Sequence, residues 1–252
     1  MSPRRSIDLN ADVGEGCGHD DELVPLVSSV NIACGAHAGD EETMRRTVEL
    51  ALRHGAAVGA HPGFADRGNF GRREIPVTAR EAADLVVGQT HRLEEIASGM
   101  GARLRHVKLH GALYNMASRD PALAEAVARA LFEAKGRHGD HWVIVALAGS
   151  HLASAGRALG MRVLSEAFAD RAYAPDGQLA PRSLPGAFIE DEELAAAQAA
   201  RLARDGLVRA TDGSDIVVDA DSICIHGDSP RSAALASKIR ERLAADGIGV
   251  AC

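Results

Sequence analysis

The sequence predicts an α/β protein built on a mainly parallel sheet. Three observations predict it. Short apolar runs alternate with amphipathic stretches from end to end, nearly every predicted strand ends in a polar or ionisable residue, and no Pro-, Gly- or Ser-rich linker divides the chain. Strands alternating with helices join most simply through crossovers into a parallel sheet. The 252 residues read as one domain, 1–252, ample for a sizeable core.

Residues 6–13, SIDLNADV, alternate polar and apolar as a strand does. Runs 30–34 (VNIAC) and 56–60 (AAVGA) are the second and third strands. Between them Asp40 caps a helix with Glu41 and Glu42 in its first turn, Met44, Val48 and Ala51 on one face, and Gly55 after its end. Thr78 and Glu81 form a T-x-x-E capping box ahead of Leu85, Gln89 and Leu93. The fourth strand is 104–109. Asp120-Pro121 then opens a helix through Leu123, Val127 and Leu131 that ends near Gly136. Strand 142–148, a helix at about 150–159, strand 161–165 and a helix at about 190–204 follow. The seventh strand is 222–226, and Pro230 opens a last helix with Leu235, Ile239 and Leu243 on one face. Two architectures fit seven such strands: an open doubly wound sheet, or a closed β/α barrel.

The strand ends carry the chemistry. Asn10 and Asp12 precede Gly14, the second strand runs into Cys34 and His37, the third ends at His61-Pro62-Gly63, and the fourth carries Lys108 and His110. The sixth leads to Glu166 and the seventh to His226-Gly227-Asp228, whereas the fifth ends blandly at Ala148-Gly149. Asn10 and Asp12 are two apart and share a strand face, as do Lys108 and His110. In a barrel that face is the interior near the mouth, where burial of such groups is costly unless they pair or meet a ligand. Barrel chemistry resides at strand C-termini, so the set reads as an acid/base site. Two long connections add cations: 62–76 holds Arg67, Arg72 and Arg73, and 168–186 holds Arg171 and Arg182. Guanidinium forks in such loops suit carboxylate or phosphoryl groups, although Arg72 and Arg73 read equally well as solvated surface charge.

Composition excludes several classes. The formal charge is −7 and aromatics are 3%, which argues against a nucleic-acid partner. Cysteines 17, 34, 224 and 252 form no C-x-x-C pair, so neither a zinc knuckle nor a disulfide scaffold is expected, and reduced thiols point to a cytoplasmic enzyme. No apolar stretch backs the two arginines of MSPRR, and no run approaches the roughly 18 apolar residues of a membrane helix. G-E-G-C-G at 14–18 lacks dinucleotide-fingerprint spacing, and P-loop and G-x-S-x-G patterns are absent.

The strand-end segments together resemble the LamB/YcsF family, that of the A subunit of bacterial 5-oxoprolinase. The stretches are IDLNADVGEG (7–16), VNIACGAHAGD (30–40), GAHPGFADRGNFGR (59–72), RHVKLHGALYN (105–115), EAFADRAYAPDGQLAPRS (166–183) and ICIHGD (223–228). Leu109 stands where a proline is common and Gly63 where a serine is common. The resemblance implies an irregular seven-stranded β/α barrel of the glycoside hydrolase/deacetylase type. It implies ATP-dependent opening of 5-oxo-L-proline to L-glutamate, with ATP as co-substrate and the B and C subunits of the 5-oxoprolinase as partners. Asp12, His61, Lys108 and His110 are then the expected catalytic residues, with Asp12 and Lys108 as the central pair. Asn10, His37, Arg67, Tyr114, Glu166, Arg171, Arg182, His226 and Asp228 are expected to bind substrate. A divalent metal stays open. One alternative is a metal-dependent amide hydrolase or deacetylase acting on a carbohydrate-like substrate, with Asp12, His37, His61 and His226 as N/O ligands. The other is a non-catalytic binding component of a complex.

Overall fold

The structure, a computed structural model, describes residues 6–252; the reading of the N-terminal MSPRR lies outside the described residues. Among the described residues there are ten strands: β1 Ser6–Val13, β2 Ser29–Ala33, β3 Ala57–His61, β4 Leu104–Lys108, β5 Val143–Leu147, β6 Val163–Phe168, β7 Leu207–Arg209, β8 Asp215–Val217, β9 Ser222–Ile225 and β10 Gly249–Val250. The helices are α1 Asp20–Leu23, α2 Glu41–His54, α3 Ala79–Gly99, α4 Gly111–Arg119, α5 Pro121–Ala134, α6 His151–Ala158, α7 Glu192–Asp205 and α8 Ser232–Ala245.

Seven strands, all parallel, close a barrel in the order β1-β2-β3-β4-β5-β6-β9 and back to β1. The closed architecture is therefore the correct one of the two. Strand register sets up the site. Asp12 lies opposite Asn31 of β2, Asn10 opposite Cys224 of β9, and Glu166 opposite Ser222. The period-two pattern of β1 has a physical cause. Ile7, Leu9, Ala11 and Val13 are buried in the apolar core, while Asp8, Asn10 and Asp12 are buried in polar contacts inside the barrel. This barrel is polar within, unlike the branched aliphatic layers common in such folds. Asp8 accepts hydrogen bonds from Ser28, Ser29 and Ser222; burial raises its carboxyl, and the three hydroxyls only partly offset that.

The expected caps form. Asp40 accepts from Thr43 N at α2, both halves of the Thr78–Glu81 box form at α3, and Asp120 accepts from Ala122 N and Leu123 N above Pro121 at α5. Other boundaries differ from the sequence reading. Pro230 lies outside α8, whose N-cap residue is Arg231. β6 runs on to Phe168, so Glu166 is within the strand. β4 stops at Lys108, and His110 is the N-cap residue of α4, a helix that the periodicity did not announce. The β7–β8 hairpin, α1 and β10, which pairs with the start of β1, were also unanticipated. These pieces are two to four residues long, too short for a periodic signal. Among the described residues no helix is long and apolar enough to cross a membrane, and all four cysteines are free.

Candidate active site

Lys108 is the centre of the mouth. Its Nζ lies 2.8 Å from Asp12 Oδ1, 2.8 Å from Glu166 Oε1, 3.0 Å from Cys224 Sγ and 3.3 Å from Asn10 Oδ1. Burial alone would push the ammonium down, but Asp12, Cys224 and Glu166 outweigh it and hold Lys108 well above the usual lysine range. Burial would likewise raise Asp12, yet His61 and Lys108 hold its carboxyl well below the usual value. The pair is therefore ionised. Around it, Asn31 Nδ2 donates to Asn10 Oδ1 and Asp12 Oδ1, Asn10 Nδ2 donates to Glu166 and Ser222, and Tyr114 OH donates to Glu166 Oε2 at 2.7 Å. Such a satisfied network fixes every rotamer in it.

Beside Asp12 stand three histidines. Asp12 Oδ2 is 3.4 Å from His61 Nε2, and His61 Nε2 is 2.9 Å from His110 Nδ1. His37 stacks on His110 with ring centroids 3.8 Å apart and planes within 1°. Burial, reinforced by His61, pushes His37 down to about 3; burial, His61 and His37 also push His110 well below the usual imidazole value. Glu15 reaches in from the loop after β1. Its Oε1 lies 3.3 Å from His110 Nδ1 and 3.4 Å from His37 Nε2, and burial, then Asp12 and Asp228, raise its carboxyl.

The rim is basic. Arg72 pairs with Asp228 at 2.5 Å and lies over the Phe70 ring. Arg182 Nη2 is 3.1 Å from His226 Nε2. An arginine only donates, so His226 accepts through Nε2 and its Nδ1–H points to Asp170, 2.9 Å away. Asp12, His61, Lys108, Arg72, Arg182 and His226 line one small cleft at this mouth.

Most residues singled out in the sequence therefore converge: Asn10, Asp12, His37, His61, Lys108, His110, Tyr114, Glu166, Arg182 and His226, with Asp228 at the rim. Arg67 and Arg171 are engaged elsewhere. Arg67 is exposed and donates to Gly35 O and Gly39 O, clasping the loop after β2. Arg171 borders the cleft, but its guanidinium donates to Ala180 O and Ala187 O and holds the 171–188 loop shut. Of the four residues offered as metal ligands, only Asp12 and His61 present atoms to one point. His226 is spent on Asp170 and Arg182, and His37 faces Glu15. Sequence reasoning passed over Glu15, Asn31 and Cys224, and left Arg72 evenly balanced between a site role and solvated charge. Asn31 carried a signal, a lone amide inside an apolar strand, and so did Glu15, a carboxylate between glycines just past Asp12.

Fold and site together define a β/α-barrel protein with a buried acid/base centre at the carboxyl ends of its strands. Comparison with known proteins narrows this. The chain belongs to the LamB/YcsF family, whose family model matches residues 7–252. It is 49% identical over 255 residues to the 5-oxoprolinase A subunit of Bordetella pertussis, covering 99% of each chain. It is 47% identical over 250 residues to that of Shouchella clausii, covering 97% of each. The crystal structure of the lactam utilization protein from Thermus thermophilus superposes with a TM-score of 0.89 at 44% identity, over 98% of this chain and 99% of that one. A T48 deacetylase with substrate shares the fold alone, with a TM-score of 0.53 at 13% identity over 99% of this chain and 88% of that one.

Proposed function

We propose that the chain is the A subunit of an ATP-coupled 5-oxoprolinase, opening the lactam of 5-oxo-L-proline to L-glutamate together with B and C subunits. One observation carries this reading: the chain matches relatives of that name end to end, not through one shared motif. The site is compatible in chemistry. A five-membered lactam resists water because amide resonance stabilises it. Transfer of the ATP γ-phosphoryl to the lactam oxygen releases ADP and leaves an imidate-like phosphate. Water adds to the ring carbon, the C–N bond breaks as the nitrogen takes a proton, and a second water frees phosphate from the resulting acyl phosphate.

Asp12 orients the attacking water beside His61 and takes its proton, and Lys108 stabilises negative charge on the former lactam oxygen. Arg182 and Arg72 at the rim suit the substrate carboxylate or the phosphoryl group. The sequence has no phosphate-cradling loop, so ATP is handled largely by the partner subunits. An ATP-coupled reaction in a chain with four free thiols fits the cytoplasm. The test is 5-oxoproline-dependent ATP hydrolysis and glutamate release, with and without B and C. Turnover is expected only for the complex. Robust turnover by this chain alone overturns the division of labour, and none with the partners present overturns the activity.

A further inference from the structure

As neutral rings the two central histidines present a conflict. His61 Nδ1 lies 2.9 Å from the carbonyl oxygen of Lys108, and His110 Nε2 lies 2.8 Å from that of Phe70. A carbonyl only accepts, so each ring spends its N–H there and turns a lone pair inward. Those lone pairs, on His61 Nε2 and His110 Nδ1, face each other at 2.9 Å. Two acceptors at that distance repel unless something positive sits beside them.

A third acceptor joins them. Glu15 Oε1 is 3.3 Å from His110 Nδ1 and 4.0 Å from His61 Nε2. It is buried and has no hydrogen-bond partner, although buried polar atoms are nearly always paired. These three atoms form the one group of three or more His, Cys, Asp or Glu ligand atoms gathered closely enough for a metal ion among the described residues, all lying within 4.8 Å of one another. Asp12 Oδ2, left over when Oδ1 takes Lys108 and Asn31, is 3.4 Å from His61 Nε2. A bound cation would also offset the burial and the Asp12 and Asp228 charges that raise the Glu15 carboxyl.

We propose that His61 Nε2, His110 Nδ1 and Glu15 Oε1 hold one divalent transition-metal cation of the zinc type, with Asp12 Oδ2 facing it. Two nitrogens about 2.0–2.1 Å from one tetrahedral ion stand about 3.3 Å apart, so the pair observed at 2.9 Å needs to open by only a few tenths of an ångström. Both rings already have the partner that metal-bound imidazoles require, an acceptor on the far nitrogen. Mixed imidazole and carboxylate donors suit zinc or cobalt better than magnesium or calcium, which prefer all-oxygen sites. When bound, such a cation supplies Lewis acidity at the lactam carbonyl and makes nearby water more acidic.

This proposal rests on the same site as the function above, but its test does not use turnover. Chelator-treated chain is titrated calorimetrically with Zn2+, with Mg2+ as the control, and with Co2+ followed by its visible absorption. One equivalent of Zn2+ should bind, Mg2+ should not, and bound Co2+ should show the bands of an ordered N/O site. Glu15→Gln and His110→Ala should each weaken Zn2+ binding by on the order of 100-fold. Zn2+ should also raise the melting temperature of the wild type and not of either variant, a readout that checks that the variants are folded. No binding to the folded wild type, or equal binding by both folded variants, overturns the site: the cluster is then bridged by protons alone. Either result leaves the 5-oxoprolinase assay to be read independently.

Discussion

Lys108 Nζ sits 2.8 Å from Asp12 Oδ1, and the two side chains are 2% and 8% exposed. A salt bridge so far from water contributes little net stability, but breaking it is expensive, because an uncompensated charge is left behind.

Lys108→Met strands both Asp12 and Glu166, so it should cost about 3–5 kcal/mol in a denaturant melt. The double variant with Asp12→Asn should lose less than the sum of the two single losses. In the reconstituted complex each single variant should reduce glutamate formation by about 10²–10⁴-fold per folded molecule. A pair with only a structural role gives the stability loss with unchanged specific activity.

Arg182 reads as a carboxylate anchor at the rim, held at 3.1 Å by His226. A charge-assisted hydrogen bond is worth about 1.5–3 kcal/mol, so Arg182→Met should raise KM for 5-oxoproline by about 10–100-fold with a smaller change in kcat. Steady-state kinetics at saturating ATP check this, and an unchanged KM removes Arg182 from substrate binding.

His106 lies under the site and its Nε2–H donates to Asn31 Oδ1. Burial, then Lys108 and His61, lower it to about 3. The folded state therefore keeps this ring neutral, whereas the unfolded chain protonates it near pH 6.5. The stability it contributes is complete above that value and is lost as pH falls toward 3. His106→Gln keeps the donor and removes the titration. Between pH 6 and 4 its stability should fall less steeply than that of the wild type, by about 1.4 kcal/mol per pH unit. Equal slopes in melts across that range refute this.

Gly59 makes room for the same ring. A Cβ at position 59 would stand 2.0 Å from His106 Nε2. Gly59→Ala should destabilise by about 1–3 kcal/mol through overpacking, and His106→Ala in the same chain should restore part of that. Additive losses in thermal melts contradict the close approach.

Much of this architecture is legible in the chain because it is periodic or local. The alternation in β1 announces which side chains enter the barrel, and caps such as Asp40 and the Thr78–Glu81 box act over three residues. What escapes is long-range or carried by curl. Arg72 looks like surface charge until Asp228, 156 residues away, is placed beside it. Glu15 reaches the histidines because Gly14 and Gly16 adopt φ of 70° and 79°, turning the loop inward in a way no periodicity records. Arg67 and Arg171 were recognisable as purposeful cations, but their targets, carbonyls of nearby loops, depend on loop paths that composition does not encode.

Ring closure between β1 and β9 also bears on how the site is completed. Asn10 and Asp8 obtain Ser222, and Lys108 obtains Cys224, only when the seventh barrel strand docks. Until then a nascent chain carries half-solvated acids and a lysine in an open trough, where water competes for every contact. The pairs among Asp12, Asn31, His61 and Lys108 lie within β1 to β4, and the contacts of β9 join them in the non-local step that closes the barrel. The last contacts of the site and the closing of the barrel are one event in this protein.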